Sequence, residues 1–460
     1  MTQAATRVEG IVSGIRQQIA SRCLLPGARL PSIRRCAAAS RVSVSTVVDA
    51  YERLVAEGLV ASRPGSGFFV RGPVPPLSLV DLGPRLDREV DPLWMSRQAL
   101  EAPDGVLKPG CGWLPSSWMP EAALRRAVRR LGRAPAATLT DYDTPLGSAA
   151  LRQVLARRMG ERGIATSPGQ VLLVESGTQA IDLLCRYLLS PGDAVLVDDP
   201  CYFNFHALLR AHQARVVGVP FTPRGPELDL FAQALATHRP RLYVTTAALH
   251  NPTGATLSPA VAHRVLRLAA EAGCTIVEDD ILGDFEEQPA PRLAALDGLD
   301  RVVQVGSFSK SLSASVRCGH IAARRDWIED LADLKTAVSF GGSRLSAELI
   351  HALLTDGTYR RHMEGVRRGL ASARADVARR LRPLGIVPWI EPRGGMFLWC
   401  ELPAGVDAAT VARRALAQDV VLAPGNAFST AGTAGRFMRF NVAQCGSERM
   451  FEVLAAAMRP

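Results

Sequence analysis

Lys310 closes the stretch Val302-Val303-Gln304-Val305-Gly306-Ser307-Phe308-Ser309-Lys310-Ser311, an apolar run that turns into a small polar loop. The chain carries 54 lysines and arginines together, and only Lys108, Lys310 and Lys335 are lysines. Arginine has taken nearly every place where a simple cation suffices, so a surviving lysine hints at work that a guanidinium cannot do. Forming a Schiff base is such work, because an amine can be tuned to give up its proton. The plain alternative is one more loop cation, which is how Lys108 and Lys335 are read, both on the surface.

Further polar clusters follow other apolar runs. Ser176-Gly177-Thr178-Gln179 opens a helix, where free backbone N–H groups and the helix dipole make either a phosphate seat or an ordinary N-cap. Tyr202, two residues past Pro200, is suited to stacking on a planar ring and equally to plain packing. His250-Asn251-Pro252-Thr253-Gly254 is a turn whose Asn251 amide can also hydrogen-bond a phenolic oxygen. Glu278-Asp279-Asp280 ends a strand, where acids are costly without a cation; a protonated ring nitrogen is a suitable one. Ser307 and Ser309 offer hydroxyls, and Arg317 offers a fork for a phosphate dianion.

Buried strands must position these groups. Runs at 171–174, 194–197, 216–219, 242–245, 275–278, 302–306 and 318–322 alternate with segments of helical length and period such as 178–189, 227–237 and 259–272. This pattern predicts an α/β body with a mostly parallel, seven-stranded sheet covered on both faces, its sites gathered at the strands' carboxyl ends.

Residues 1–72 read differently. Val8, Ile11, Val12, Ile15 and Ile19 predict an amphipathic first helix; a short helix starts near Ser32, and Ser43 is an N-cap for a third bearing Val47, Ala50, Tyr51, Leu54 and Val55. Two helices across a tight turn are a helix-turn-helix, and residues 59–70, with Pro64-Gly65-Ser66-Gly67 at the tip, predict a hairpin wing. A small helical domain that binds protein is the alternative. Ten arginines against four acids give this module +6 of the chain's +10, which favours nucleic acid. Residues 73–95, punctuated by Pro and Gly, predict a semi-stiff linker to a body spanning 96–460.

The nine cysteines are scattered without a C-x-x-C pair, which argues against a disulfide framework or a zinc site. No apolar run approaches bilayer-spanning length, and Arg7, Glu9 and Arg16 interrupt any leader-like segment, so no membrane and a cytoplasmic location are expected.

Leu30-Pro31-Ser32-Ile33-Arg34, Val42-Ser43-x-Ser45-Thr46-Val47 and Arg63-x-Gly65-Ser66-Gly67-x-Phe69-Val70 resemble the GntR-type winged helix. The resemblance implies that Arg34, Ser43, Ser45, Thr46, Arg63 and Gly65 meet a double-stranded operator, although Val44 stands where many relatives have arginine. From about Tyr142 to Arg439 the ordered clusters resemble the fold-type I, aspartate aminotransferase-like enzymes. That implies pyridoxal 5′-phosphate held as an internal aldimine on the catalytic Lys310. Asp279 would meet the pyridine nitrogen, Asn251 the ring hydroxyl and Tyr202 the ring face. Gly177, Thr178, Ser307, Ser309 and Arg317 would hold the phosphate, with Tyr142 reaching the neighbouring subunit's phosphate in a homodimer. Arg439 would grip an effector's carboxylate, and a smaller C-terminal lobe is implied from about 360 to 460. Leu282 departs from the tyrosine that aminotransferases usually carry there. The whole chain resembles the MocR-type transcriptional regulators, in which an amino acid or amine exchanges with the lysine. Two alternatives stay open: a working aminotransferase carrying a DNA-binding head, and a sensor of pyridoxal phosphate itself.

Overall fold

The computed structural model describes residues 2–20, 24, 27–63, 66–70, 97, 100–103 and 105–459. Its residues fall into two compact units, Met1–Leu86 and Asp87–Pro460. The linker expected over 73–95 and the wing residue Gly65 lie outside the described residues.

In the head, α1 (Thr2–Ala20), α2 (Ile33–Ser40) and α3 (Val44–Ala56) enclose one core. Val12, Ile15 and Ile19 are buried with Val47, Ala50, Tyr51 and Leu54, at the helical spacing that predicts this face. Ser32 caps α2 by accepting from the Arg35 N–H, and α2 ends where Arg41 turns left-handed at φ 52°. Ser43 caps α3 by accepting from the Thr46 N–H. β1 (Val60–Arg63) and β2 (Gly67–Val70) form the wing, antiparallel, with Val60 opposite Val70 and Arg63 opposite Gly67.

In the body all seven predicted runs are strands: β3 (Val171–Val174), β4 (Ala194–Asp199), β5 (Arg215–Thr222), then, beyond a two-residue β6 (Gly225–Pro226), β7 (Leu242–Thr245), β8 (Thr275–Asp279), β9 (Val302–Ser307) and β10 (Gly319–Ala322). Their order is β3-β10-β9-β8-β7-β4-β5-β6. The pairs from β9 through β5 are parallel, whereas β10 runs antiparallel to both β9 and β3. Alternation sorts the side chains. Leu172, Val174, Leu242, Val244, Val303 and Val305 enter one core, while Val171, Leu173, Tyr243 and Val302 enter the other.

The helix Thr358–Leu381 leads to a smaller antiparallel sheet ordered β11 (Val387–Pro388), β12 (Phe397–Glu401), β14 (Phe437–Asn441), β13 (Ala423–Pro424). No described helix is long and apolar enough to cross a membrane.

The surface reading of Lys335 is corrected. Its side chain is fully buried, with Nζ donating to the Pro145 carbonyl at 2.9 Å and burial pulling its pKa down against the pull of Asp143 and Glu175. A slender ammonium that concentrates its donors in one point fits there; a flat guanidinium does not make the same single contact.

Candidate functional site

Sheet register assembles the site. Val174 and Ser307 both lie opposite Gly319, and Asp279 lies opposite Val305. The loops after β3, β8 and β9 therefore leave the sheet at one edge. A cleft there is lined by Gly110, Cys111, Gly112, Trp113, Tyr202, Lys310 and Arg439. Gly112 sits between the two cations: a Cβ on it would stand 3.8 Å from Arg439 Nη2 and 3.9 Å from Lys310 Nζ.

Of the three adjacent acids, two are satisfied within the fold. Glu278 accepts from the Leu293 and Ala294 N–H groups at 2.8 and 2.9 Å. Asp280 accepts from Arg292 Nε at 2.8 Å, Arg162 Nη1 at 3.1 Å and Gln304 Nε2 at 3.0 Å. Asp279 receives one backbone N–H, from Ile281 at 3.1 Å, and among the described residues no cation pairs with it. Burial raises its pKa to about 7. The Asp280 charge adds to that rise, and the Ile281 N–H and the Lys310 charge oppose it without an ion pair forming.

Lys310 shows the complementary shift. Burial lowers its pKa to about 8, and the amine stands over the Trp113 ring, 5.9 Å from the centroid. Arg439 is buried on β14, between the rings of Phe397 and Phe428 at 4.3 and 4.7 Å. Its Nη1 donates to Asn251 Oδ1 and its Nη2 to the Gly110 carbonyl, both at 2.7 Å, while Nε has no partner. Among the described residues no carboxylate neutralises it, and burial pulls its pKa down to about 10. Tyr202 is close enough to feel both Arg439 and Asp279, and burial raises its pKa.

A phosphate-sized seat lies beside them. Ser307 Oγ and Ser309 Oγ are 3.1 Å apart, and Arg317 Nη1 is 3.4 Å from Ser309 Oγ. Gly177 starts the helix Gly177–Leu188 behind the Ser176 cap, so its N–H and that of Thr178 are first-turn donors. Gly177 has no room for a side chain, since a Cβ would stand 2.3 Å from Ile281 Cδ1. Leu282 is buried in the core and offers no hydrogen bond.

Tyr142 is not part of this cleft. It is 78% exposed and lies edge-on to Phe340, which is also exposed, 5.1 Å between centroids. In the head, Arg34, Ser45 and Arg63 are exposed, Thr46 is half-buried and Arg63 lies over the Phe69 ring. Ser43 Oγ is 2.9 Å from Ser45 Oγ and 2.7 Å from Thr46 Oγ1, so the three hydroxyls cluster at the start of α3.

Sequence reasoning missed the segment 106–113. It docks on the small lobe through Leu107 N–H to the Asp419 carbonyl and Gly110 N–H to the Val421 carbonyl, both 2.9 Å, and brings Cys111 and Trp113 to the cleft. The signal that could have found it is the small pair Gly110 and Gly112 flanking an apolar residue: a Cβ at Gly110 would stand 2.5 Å from the Ala423 nitrogen.

Residues 115–457 match the family Aminotransferase class I and II, and residues 7–70 match Bacterial regulatory proteins, gntR family. The HTH-type transcriptional regulator YdcR of Escherichia coli strain K12 is 30% identical over 96% of both chains. The 2-aminoadipate transaminase of Thermus thermophilus is 31% identical over 76% of this chain and 88% of its own. Among solved structures, LysN, the alpha-aminoadipate aminotransferase of Thermus thermophilus, superposes with a TM-score of 0.72 at 28% identity, covering 79% of this chain and 94% of its own. The chain therefore belongs to the aminotransferase class I and II family and, through its gntR-family head, to the MocR-type helix-turn-helix transcriptional regulators.

Proposed function

We propose that this chain is a cytoplasmic DNA-binding regulator whose body holds pyridoxal 5′-phosphate at Lys310 and reads an amino acid or amine there. The observation that carries the reading is a set of three buried charged groups, none of them in an ion pair: Asp279 and Lys310 at the ends of neighbouring strands, whose charges attract each other, and Arg439 on β14. When bound, the cofactor supplies an aldehyde that condenses reversibly with amines. Lys310, with its pKa near 8, presents a useful fraction of neutral amine at physiological pH, as that condensation requires. Asp279 gains the cation it lacks from the ring N–H, which holds the ring nitrogen protonated. Asn251, whose Oδ1 is taken by Arg439, keeps Nδ2 to donate to the ring hydroxyl. Tyr202 covers the ring, and Gly177, Thr178, Ser307, Ser309 and Arg317 hold the phosphate.

Arg439 is the effector's carboxylate partner. An anion there competes with Asn251 Oδ1, on the loop after β7, and the Gly110 carbonyl, on the segment docked on the small lobe. Those exchanged contacts give an effector different affinities for two arrangements of the body, which is what shifting the DNA-binding head demands. The exposure of Tyr142 and Phe340 supports a homodimer in which Tyr142 reaches the neighbouring cofactor site.

A second reading, a working aminotransferase with an accessory head, draws support from the presence of both Lys310 and Arg439 and from the transaminase relative. Leu282 weighs against it, since no hydroxyl is available there to tune the ring. Spectral titration of the cofactor-loaded protein with a panel of amino acids and amines, in parallel with operator binding, separates the readings. A spectral change without turnover that alters DNA affinity is the expected result. Sustained amino transfer to an oxo-acid assigns an aminotransferase, and a DNA response to the cofactor alone assigns a cofactor sensor. No visible band after incubation with excess cofactor overturns all three.

A further inference from the structure

A groove on the body is far simpler chemically than the Lys310 cleft. It has a volume of about 600 Å3 and runs between the helices Glu121–Leu131 and Arg344–Thr355. Its lining holds four arginines, Arg126, Arg129, Arg130 and Arg133, against one carboxylate, Glu348; Leu131 and Leu349 add apolar surface. All four arginines are exposed.

Abundant arginine does not by itself explain them. Exposed helical arginines in this chain commonly pair with an acid three or four residues away, as in Arg125–Glu121, Arg186–Asp182, Arg325–Glu329 and Arg379–Asp376. None of the four groove guanidinium groups makes an ion pair or hydrogen bond among the described residues. Arg126, Arg129 and Arg130 stand at i, i+3 and i+4 on the first helix, so they share one ridge about 6 Å long at 1.5 Å rise per residue, and Arg133 follows in the turn just past its end. Like charges so close repel, a cost that an oppositely charged partner removes. Duplex DNA presents about one negative charge per 1.7 Å of its axis, which puts several phosphates within reach of such a ridge.

We propose that the Arg126–Arg133 ridge is a second DNA-binding surface, on the body, which contacts the phosphate backbone independently of sequence. Double-stranded DNA is the favoured occupant, because the same chain carries a gntR-family DNA-binding head and the ridge complements a polyanion. The inference does not depend on pyridoxal phosphate or on any effector.

The test is non-specific binding of the full-length protein to a mixed-sequence duplex of about 60 base pairs, followed by anisotropy from about 50 to 200 mM salt. The variant is Arg126→Gln/Arg129→Gln/Arg130→Gln/Arg133→Gln. The control, Arg157→Gln/Arg264→Gln/Arg361→Gln/Arg368→Gln, removes the same charge from exposed arginines outside the groove. Loss of two phosphate contacts flattens the slope of log K against log salt by about 1.8 and lowers low-salt affinity at least about tenfold beyond the control. Equal slopes and affinities for the two variants overturn the proposal. So does a variant that loses inorganic tripolyphosphate binding while its DNA slope matches the control, because the groove is then a small-anion seat. If the fourfold variant does not fold, the pairs Arg126→Gln/Arg130→Gln and Arg129→Gln/Arg133→Gln give the same comparison, each with about half the slope change.

Discussion

The head and the Lys310 cleft use their polar groups in opposite ways. In the head, charges and hydroxyls are spent on the fold: Arg53 pairs with Glu9, Arg16 with Glu57, Ser32 and Ser43 cap helices, and the Tyr51 hydroxyl reaches the Pro31 carbonyl at 2.9 Å. In the cleft, a carboxylate, an amine and a guanidinium are held out of water with no ion pair among the described residues, only the attraction between Asp279 and Lys310 at a distance. A fold keeps such groups only where a ligand later completes them, because each costs stability when left alone. The head presents a shape, and the cleft presents unmet valences. Substitutions should therefore act mainly on ligand binding in the cleft and mainly on stability in the head.

The largest effect is expected at Lys310. Lys310→Ala should abolish the visible absorption of the cofactor-loaded protein and the adduct trapped by borohydride, while leaving far-ultraviolet circular dichroism unchanged. A retained band removes the lysine from the site. In the wild type, the rate at which apo-protein captures pyridoxal phosphate should rise with pH up to about 8 and level off above it, because only the neutral amine attacks. A flat profile between pH 6 and 9, read by stopped-flow absorbance, contradicts the lowered pKa.

Arg439 comes next. Arg439→Gln should weaken a carboxylate-bearing effector by about a hundredfold, through loss of charge-assisted hydrogen bonds worth about 1.5–3 kcal/mol each. A simple amine without a carboxylate should bind the variant as it binds the wild type. If both ligands weaken equally, Arg439 supports the cleft and does not recognise the effector.

Asp279→Asn should separate stability from function. The folded pKa of Asp279 lies at about 7, above the usual carboxylate range, so the folded apo-protein holds a proton that the unfolded chain has lost. Wild-type apo stability therefore falls as pH rises from about 4 to 7, and the asparagine variant escapes that loss. Thermal unfolding at pH 8 should show the variant to be more stable by up to about 4 kcal/mol, with weaker cofactor binding. A variant less stable than the wild type at pH 8 would mean that the carboxylate has a partner in the fold.

The same contrast decides what could be read from sequence. Every strand of the body expected from an apolar run is present, since local alternation and run length fix a strand regardless of its neighbours. The direction of β10 was not legible, because an apolar run bounded by turns looks the same parallel or antiparallel. The motif residues Lys310, Asp279 and Asn251 were legible because each follows its own strand. Trp113 and Cys111 were not, because their docking partners, Val421 and, on β14, Asn441, lie some three hundred residues away and their segment has no period. Nor was the buried network in which Arg158 and Arg162 pair with Asp284, Arg292 with Asp280 and Glu286, and the Tyr359 hydroxyl reaches Asp284 and Ser311. Its members are scattered through the chain, and only the fold shows which acid meets which base. Lys335 failed for the same reason, its acceptor being the Pro145 carbonyl on a distant loop.

The smallest effect sharpens the comparison from the head's side. Ser43 Oγ accepts the Thr46 N–H at 3.2 Å, which is the work of an N-cap, and the family resemblance also implies a DNA contact for it. Ser43→Ala should cost about 1 kcal/mol of head stability, and Ser43→Asn should restore most of it, since asparagine caps as well as serine. If capping is the whole of its role, DNA affinity at a temperature well below unfolding changes little in either variant. If the hydroxyl also meets a phosphate, Ser43→Asn recovers stability but not affinity. That second pattern would break the contrast, because one head residue would then serve the fold and the ligand together.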